Sequence, residues 1–394
     1  VSREVLIPAD IRFPLERASG VQIVKTAAAM ARAGARATLL VRRSDPRSTQ
    51  EILALYGERP DPWLSVRRLG VFHRPGSYRL PRATFLLRAA ASAWAATTRG
   101  ASVFTRDLQL ADLLLRLGRG SIVYEAHAVE SLMYGERGAL YGTGQAADPA
   151  KRQRLAGREA RVWRRAAGFV TTTAGIRDSL AEAYGPRQRV CVVPNGCDVR
   201  EGPFPGLAAE APPRVLYAGQ LYPWKGVDVL VEAMQAVPQA RLVVLGGLPG
   251  EMDLARIRAL VAARGLGARA ELPGTVPQAQ VASELRRAAV IAVPFLRSAM
   301  TDRHTSPLKA FEAMAAGRPI VISDLPSTRE VLRHEETALL VPPGDPGPLA
   351  AAIRRLLVDQ ALAERLARAA FAEARRYSWD TRARTILALL QEAA

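Results

Sequence analysis

Short apolar runs alternate with amphipathic stretches along nearly the whole of this 394-residue chain, and the alternation pauses and restarts once. Val5–Pro8, Thr38–Val41, Ser102–Thr105, Ile122–Glu125, Phe169–Thr172 and Val190–Val193 read as strands in the first half. Val215–Tyr217, Arg241–Leu245, Val290–Pro294, Pro319–Ile322 and Ala338–Val341 do so in the second. Helical spacing falls between them at Val21–Ala33, Pro149–Ala167, Val227–Ala236, Leu254–Arg264, Pro307–Ala316 and Leu349–Val358. Strands that are apolar throughout, separated by helices, form parallel sheets covered on both faces. The fold class is therefore α/β. Glu201–Pro213 carries no period and reads as a linker, after which a second sheet opens at Val215. The expected organisation is a domain over 1–200, a second over 201–378, and a C-terminal helix over 379–394 that packs back across the junction. Two doubly wound sheets facing each other leave a central cleft lined by the carboxyl ends of their strands, where this architecture binds ligands.

Several chemistries are excluded by what is missing. The nearest approach to Gly-x-Gly-x-x-Gly, at Gly142, Gly144 and Ala147, follows no strand, so dinucleotide binding lacks its context. There is no Gly-x-x-x-x-Gly-Lys loop, and no two aspartates stand two positions apart to hold a metal–diphosphate complex. His73, His127, His304 and His334 are scattered, and Cys191 and Cys197 are the only cysteines, too few for a zinc cage or a disulfide framework. No cofactor and no metal are expected. No apolar run reaches the roughly 20 residues of a membrane span, and Val1–Asp10 lacks a basic-then-apolar leader. These features point to the cytoplasm.

The formal charge of +18 has two readings. All but four of the 55 basic residues are arginine, as a GC-rich genome would give, and the same excess would attract phospholipid, nucleotide sugars or nucleic acid. Between Asp61 and Asp107 no acidic residue occurs, while Arg67, Arg68, Arg74, Arg79, Arg82, Arg88 and Arg99 alternate with Trp63, Phe72, Tyr78, Phe85, Leu86, Leu87 and Trp94. A helix over Arg82–Thr98 would either lie on an anionic membrane, peripheral at its inner face, or turn its apolar residues into the domain core.

Two segments of the second half carry the chemistry. In Val215-Leu-Tyr-Ala-Gly-Gln-Leu-Tyr-Pro-Trp-Lys-Gly226 a strand leads through Gly219 to a lysine and a helix start, an arrangement that aims backbone N–H groups at an anion. Lys225 adds a full charge there, although an ordinary surface lysine on a strand–helix turn would look the same. In the segment from His304 to Asp324, Pro307 suits a first helical turn with Ser306 as its cap, and Glu312 lies about one and a half turns further on among apolar neighbours. A carboxylate there can accept hydrogen bonds from vicinal ribose hydroxyls, whereas a lone glutamate in a helix is ordinarily a solvated face, which these apolar neighbours suit poorly.

Together these segments resemble glycosyltransferase family 4, the retaining enzymes of the GT-B fold, and the resemblance covers nearly the whole chain. Arg17-Ala-Ser-Gly-Val21 is similar to the family's glycine-rich N-terminal loop, Pro194-Asn-Gly-Cys-Asp198 to its junction turn, Gly219-Gln-Leu…Lys225-Gly226 to its Gly-Arg-Leu…Lys-Gly element, and Glu312…Pro319 to its Glu-Ala-Met…Gly-x-Pro element. The resemblance implies two Rossmann-like domains, the first on the acceptor side and the second on the donor side. It implies catalytic roles for His127, Lys225 and Gln220. Donor contacts fall to Gly219, Lys225, the Gly274-Thr275-Val276 loop, His304, Thr305, Ser306, Pro307, Leu308, Lys309 and Glu312, and acceptor or diphosphate contacts to Ser19 and Gly20. It also implies transfer from a nucleotide-diphosphate sugar, UDP-sugar first, to the hydroxyl of a glycan, lipid-linked or small-molecule acceptor, without a metal. Two positions depart from the pattern: Gln220 replaces an arginine, and His304 replaces the first glutamate of a pair, which weakens any inference about the sugar. Other readings stay open. An inverting GT-B transferase or sugar-nucleotide epimerase would use Asp10 or His127 as a base, and a basic nucleic-acid-binding protein would explain the charge.

Overall fold

Strands Ile122–Ala126, Val290–Val293 and Ile320–Ser323 are buried at every position, as strands of a sheet covered on both faces must be. They belong to two parallel sheets in a computed structural model that describes residues 4–14, 18–72, 79–118, 121–199, 201–247 and 252–393. Arg17, His73, Arg74, Tyr78 and Ala394, which figure in the sequence patterns above, lie outside the described residues. One compact unit comprises Val1–Gly135, Ala147–Asn195 and Trp379–Ala394, and the other Glu136–Ala146 and Gly196–Ser378.

The first unit holds a seven-stranded sheet of β1 (Glu4–Phe13), β2 (Arg36–Arg43), β3 (Leu64–Leu69), β4 (Ser102–Thr105), β5 (Ile122–Ala126), β6 (Gly168–Thr171) and β7 (Val190–Val192), in the order β3-β2-β1-β4-β5-β6-β7. The second holds a six-stranded sheet of β8 (Arg214–Ala218), β9 (Arg241–Leu245), β10 (Ala270–Gly274), β11 (Val290–Val293), β12 (Ile320–Ser323) and β13 (Leu339–Val341), in the order β10-β9-β8-β11-β12-β13. Both are doubly wound, with the strand order reversing at β1/β4 and at β8/β11. β3 and β10 are the two strands that the apolar pattern did not predict. Each is an edge strand of mixed exposure, so the uninterrupted apolar signature of a central strand is absent. Helix starts follow local chemistry: Asp148 caps Pro149–Arg165 with proline in the first turn, and the Asp107 carboxylate caps Leu108–Arg116.

Helix Arg79–Thr97 divides the two earlier readings between its faces. Phe85, Ala89 and Ala93 enter the first unit's core beside Leu110, Leu114 and Trp163. Leu87 is 69% exposed, and Leu80 and Trp94 are exposed on the same outer side. Arg82 is not a solvated charge, because it bonds both Asp10 and Asp107.

The C-terminal helix, Trp379–Glu392, packs on helix Ala18–Arg32 and on β6. Trp379, Arg382, Ala383, Ile386, Leu389 and Leu390 form its buried stripe, at the spacing of one helical face. Arg382 is the polar member of that stripe and is 3% exposed. It pairs with Glu125 of β5 and donates from Nη1 to the carbonyls of Val193 (2.6 Å) and Pro194 (2.7 Å). Gln22 donates to both oxygens of the same carboxylate at 3.1 Å. Burial works against the Glu125 charge, yet Arg382 and then His127 pull its carboxyl well below the usual range. Removing one partner of such a pair strands a buried charge. Arg382→Met is expected to cost about 3–5 kcal/mol in urea unfolding, with much of the loss recovered in Arg382→Met/Glu125→Gln. A loss within about 0.5 kcal/mol of zero, as for a neutral surface change, would show that the pair does not hold this helix.

Candidate functional site

In the second unit the chain leaves β8 at Ala218 and turns through Gly219 and Gln220 into a single 3-10 turn, Pro223–Lys225, before helix Val227–Ala233. Two close backbone approaches shape this turn. Gly226 has φ 69°, and a Cβ there would sit 1.8 Å from the Pro294 carbonyl oxygen beyond β11. A Cβ on Gly246, beyond β9, would sit 1.7 Å from the Gly219 carbonyl oxygen. Only glycine permits either contact. The ends of β8, β9 and β11 are thereby drawn together.

Lys225 is held in this loop cluster by aromatic faces. Its Nζ lies 3.9 Å from the Trp224 ring centroid and 4.7 Å from that of Phe295, and Tyr222 stacks on Trp224. Among the described residues no carboxylate pairs with it. Burial, and then the nearby Lys309 charge, lower its pKa to about 7. The Gln220 carbonyl accepts a hydrogen bond from Tyr217 Oη at 2.6 Å, while its side-chain Oε1 is buried without a partner among the described residues.

Helix Leu308–Ala315 follows β11 and brings the remaining donor candidates. Pro307 occupies the N-cap position with no side-chain cap bond, so Ser306 is not the cap and the helix starts one residue later than expected; proline supplies the extended backbone, but it has no side-chain acceptor. His304 closes a π-turn, Met300–His304, and is buried. Burial, and then Arg303, lower its pKa to about 4, so the ring is neutral near pH 7. Thr305 bonds back to the Met300 carbonyl. Glu312 accepts from Lys309 Nζ at 2.7 Å and from Gln278 Nε2 at 3.1 Å. Thr275, after β10, donates through both backbone N and Oγ1 to the Gly247 carbonyl, each at 3.1 Å. Gly219, Gln220, Lys225, Gly274, Thr275, Val276 and the 304–312 segment are thus all carried on the carboxyl ends of β8, β10 and β11 or the segments that follow them. Gln278, Trp224 and Phe295 were not singled out from the sequence. A tryptophan directly before the lysine was the available signal.

His127, Ser19 and Gly20 belong to the first unit. Ser19 and Gly20 lie in the first turn of helix Ala18–Arg32 and not in the loop that the resemblance implied. His127 follows β5, with Nε2 3.4 Å from Glu125 Oε1 but without a directed hydrogen bond. Burial, and then the Arg106 charge, lower its pKa to about 4. Asp10, the other candidate base, is engaged by Arg42 (Nη2 at 2.7 Å) and by Arg82 (Nη1 at 2.6 Å). Among the described residues no group of three His, Cys, Asp or Glu side chains is placed to hold a metal ion, and no helix is long and apolar enough to cross a membrane.

Residues 18–196 match the model of the glycosyl transferase 4-like domain, and residues 212–359 that of the glycosyl transferases group 1. The chain belongs to glycosyltransferase family 4, with the GT-B fold. It is 32% identical over 243 residues to a D-inositol 3-phosphate glycosyltransferase of Xylanimonas cellulosilytica, covering 57% of each chain. The chain thus spans little more than half the length of that relative. Among solved structures, sucrose-phosphate synthase from Thermosynechococcus elongatus matches with a TM-score of 0.76 at 23% identity, covering 99% of this chain and 98% of that one. Anabaena Alr3699/HepE, solved in complex with UDP, matches with a TM-score of 0.70 at 16% identity over 99% of each chain.

The glycine contacts make a direct prediction. Gly226→Ala combines a left-handed backbone with a collision against main chain, and is expected to destabilise the protein by about 2 kcal/mol or more. Thermal unfolding checks this, and an unchanged melting temperature would show that the loop accommodates a side chain.

Proposed function

We propose that this protein transfers a glycosyl group from a nucleotide-diphosphate sugar to an acceptor hydroxyl, with the second unit as its donor side. The observation that carries this reading is Lys225: an ammonium set between two aromatic faces at a strand–turn–helix junction, without a carboxylate partner, is suited to an incoming diphosphate. Gln220, five positions before it on the same turn, is proposed to supply a neutral amide donor, and the N-terminal turn of helix Leu308–Ala315 adds backbone N–H groups that no helix can satisfy internally. These groups stabilise charge growing on the departing diphosphate. Glu312, in contact with Lys309 and Gln278, is the carboxylate proposed for the donor ribose. UDP is the first choice of nucleotide, supported by the UDP complex of the structurally similar Anabaena protein. Retention of configuration and independence from metal are proposed from the family resemblance. His127, neutral near pH 7, is proposed to hydrogen-bond the transferring sugar. A second reading, an inverting or epimerising reaction with His127 as base, has the ring in the unprotonated form it needs, but a pKa near 4 makes that base a weak one. Asp10 is poorly suited to that role while two guanidinium groups hold it.

Turnover of a UDP-sugar is expected to persist in EDTA and to fall by roughly 10²-fold in Lys225→Ala at saturating donor. Near-wild-type turnover of the variant removes Lys225 from the mechanism, and a strict need for Mn²⁺ or Mg²⁺ overturns the metal-free route. A peripheral place on an anionic membrane is proposed from the outer side of helix Arg79–Thr97, where Leu80, Leu87 and Trp94 are exposed along with Arg79 and Arg88. Sedimentation with anionic liposomes should exceed that with zwitterionic ones at low salt and fall with charge reversal at Arg79 and Arg88. Equal sedimentation with both would contradict it.

A further inference from the structure

The first unit has an open cavity of about 320 Å³ at the carboxyl ends of β1 and β4, where its strand order reverses. Open α/β sheets take ligands at such reversals. The polar lining is Asp10, Ser19, Arg82, Arg106, Asp107, Gln109 and Glu130, and Ser19 is the residue that the family resemblance gives to the acceptor or the diphosphate.

The two arginines differ in what they face. Arg82 is neutralised, donating to Asp10 at 2.6 Å, to Asp107 at 2.5 and 2.8 Å, and to Gln109 Oε1. Arg106 has no carboxylate in contact among the described residues. Its hydrogen bond there, at 3.0 Å, goes to the side-chain carbonyl of Gln22, a neutral amide whose own NH₂ group is committed to Glu125. Burial disfavours the charged form of Arg106 and lowers its pKa, with Glu125 opposing from beyond Gln22. The remaining lining suits hydroxyl groups. Gln109 accepts from Arg82 through its oxygen, which leaves its NH₂ to donate. Glu130 is 3.4 Å from Tyr124 Oη, and burial, then Glu159, raise its pKa to about 7. Near neutral pH it both donates and accepts.

We infer that this cavity binds a polyhydroxylated ligand bearing a phosphate or carboxylate, with Arg106 meeting the anion and Gln109 and Glu130 meeting hydroxyl groups. A planar guanidinium recognises either anion through paired charge-assisted hydrogen bonds, and these outweigh neutral ones. That the ligand is the acceptor rests on the glycosyl-transfer reading; that it binds here does not.

Calorimetric titration of the full chain with D-inositol 3-phosphate, glucuronate and unsubstituted inositol tests the inference. At least one of the two anionic probes should bind about tenfold or more tightly than inositol, and which one does so separates phosphate from carboxylate. Arg106→Gln should erase that preference while keeping its thermal shift with UDP, whose proposed site lies in the second unit. Gln109→Ala should weaken all probes and keep the preference. Equal affinity for inositol and both anionic probes, no binding of any probe, or a preference that survives in Arg106→Gln would overturn the inference. A wild-type protein that shows the anion preference but no UDP shift would sink the donor reading and leave this one standing.

Discussion

The first unit is organised around one buried charge pair. Glu125 projects from a central strand, and Arg382 reaches it from the other end of the sequence. Desolvation of two charges is costly, and it is offset here because nearly every donor and acceptor of the pair is used. Arg382 also bonds the carbonyls of Val193 and Pro194, where β7 ends, and Thr26 on helix Ala18–Arg32. Gln22 completes the carboxylate and passes the connection to Arg106. A strand, three separate chain segments and the C-terminal helix are thus tied to one point, and His127 stands beside it. The position of His127, and with it the proposed chemistry of this unit, depends on a residue more than 250 positions away.

The second unit makes its proposed site in another way, with backbone. Loops after β8, β9 and β11 touch through glycines, and the contact leaves room for a lysine between aromatic rings. The rings attract the cation but hydrate it poorly, so the charge is expensive until an anion arrives. On the proposed reading, an arriving diphosphate would make that charge favourable again. Glu312, by contrast, is already satisfied by Lys309 and Gln278, and a ribose there would have to share those partners.

How much of this was legible follows from where each signal lives. Interior strands such as β4 and β9 are marked by short apolar cores, Val103 and Phe104 in one and Leu242 to Leu245 in the other, and their bounds match the sequence reading. The edge strands β3 and β10 hide because half of each faces outward. Lys225 and Glu312 stood out as charged residues beside apolar strands and turns. Their partners did not, since Phe295 and Gln278 are ordinary residues in a sequence and acquire meaning only through contact. Arg82 misled for a related reason: its carboxylates, Asp10 and Asp107, come from distant strand ends, so the local stretch looked purely basic. The Glu125–Arg382 pair was invisible for the same cause.

The central claim is that Lys225 waits for a diphosphate, and protons report on it directly. With its pKa lowered to about 7, most of Lys225 is neutral at pH 8, and a bound diphosphate would restore the charge. Calorimetric titration with UDP at pH 8, in buffers of different ionisation enthalpy, should then show uptake approaching about one proton per UDP bound, and affinity should fall as the pH rises above about 7. Uptake should vanish in Lys225→Met. UDP binding with no proton uptake at pH 8, or uptake that persists in Lys225→Met, would contradict the account.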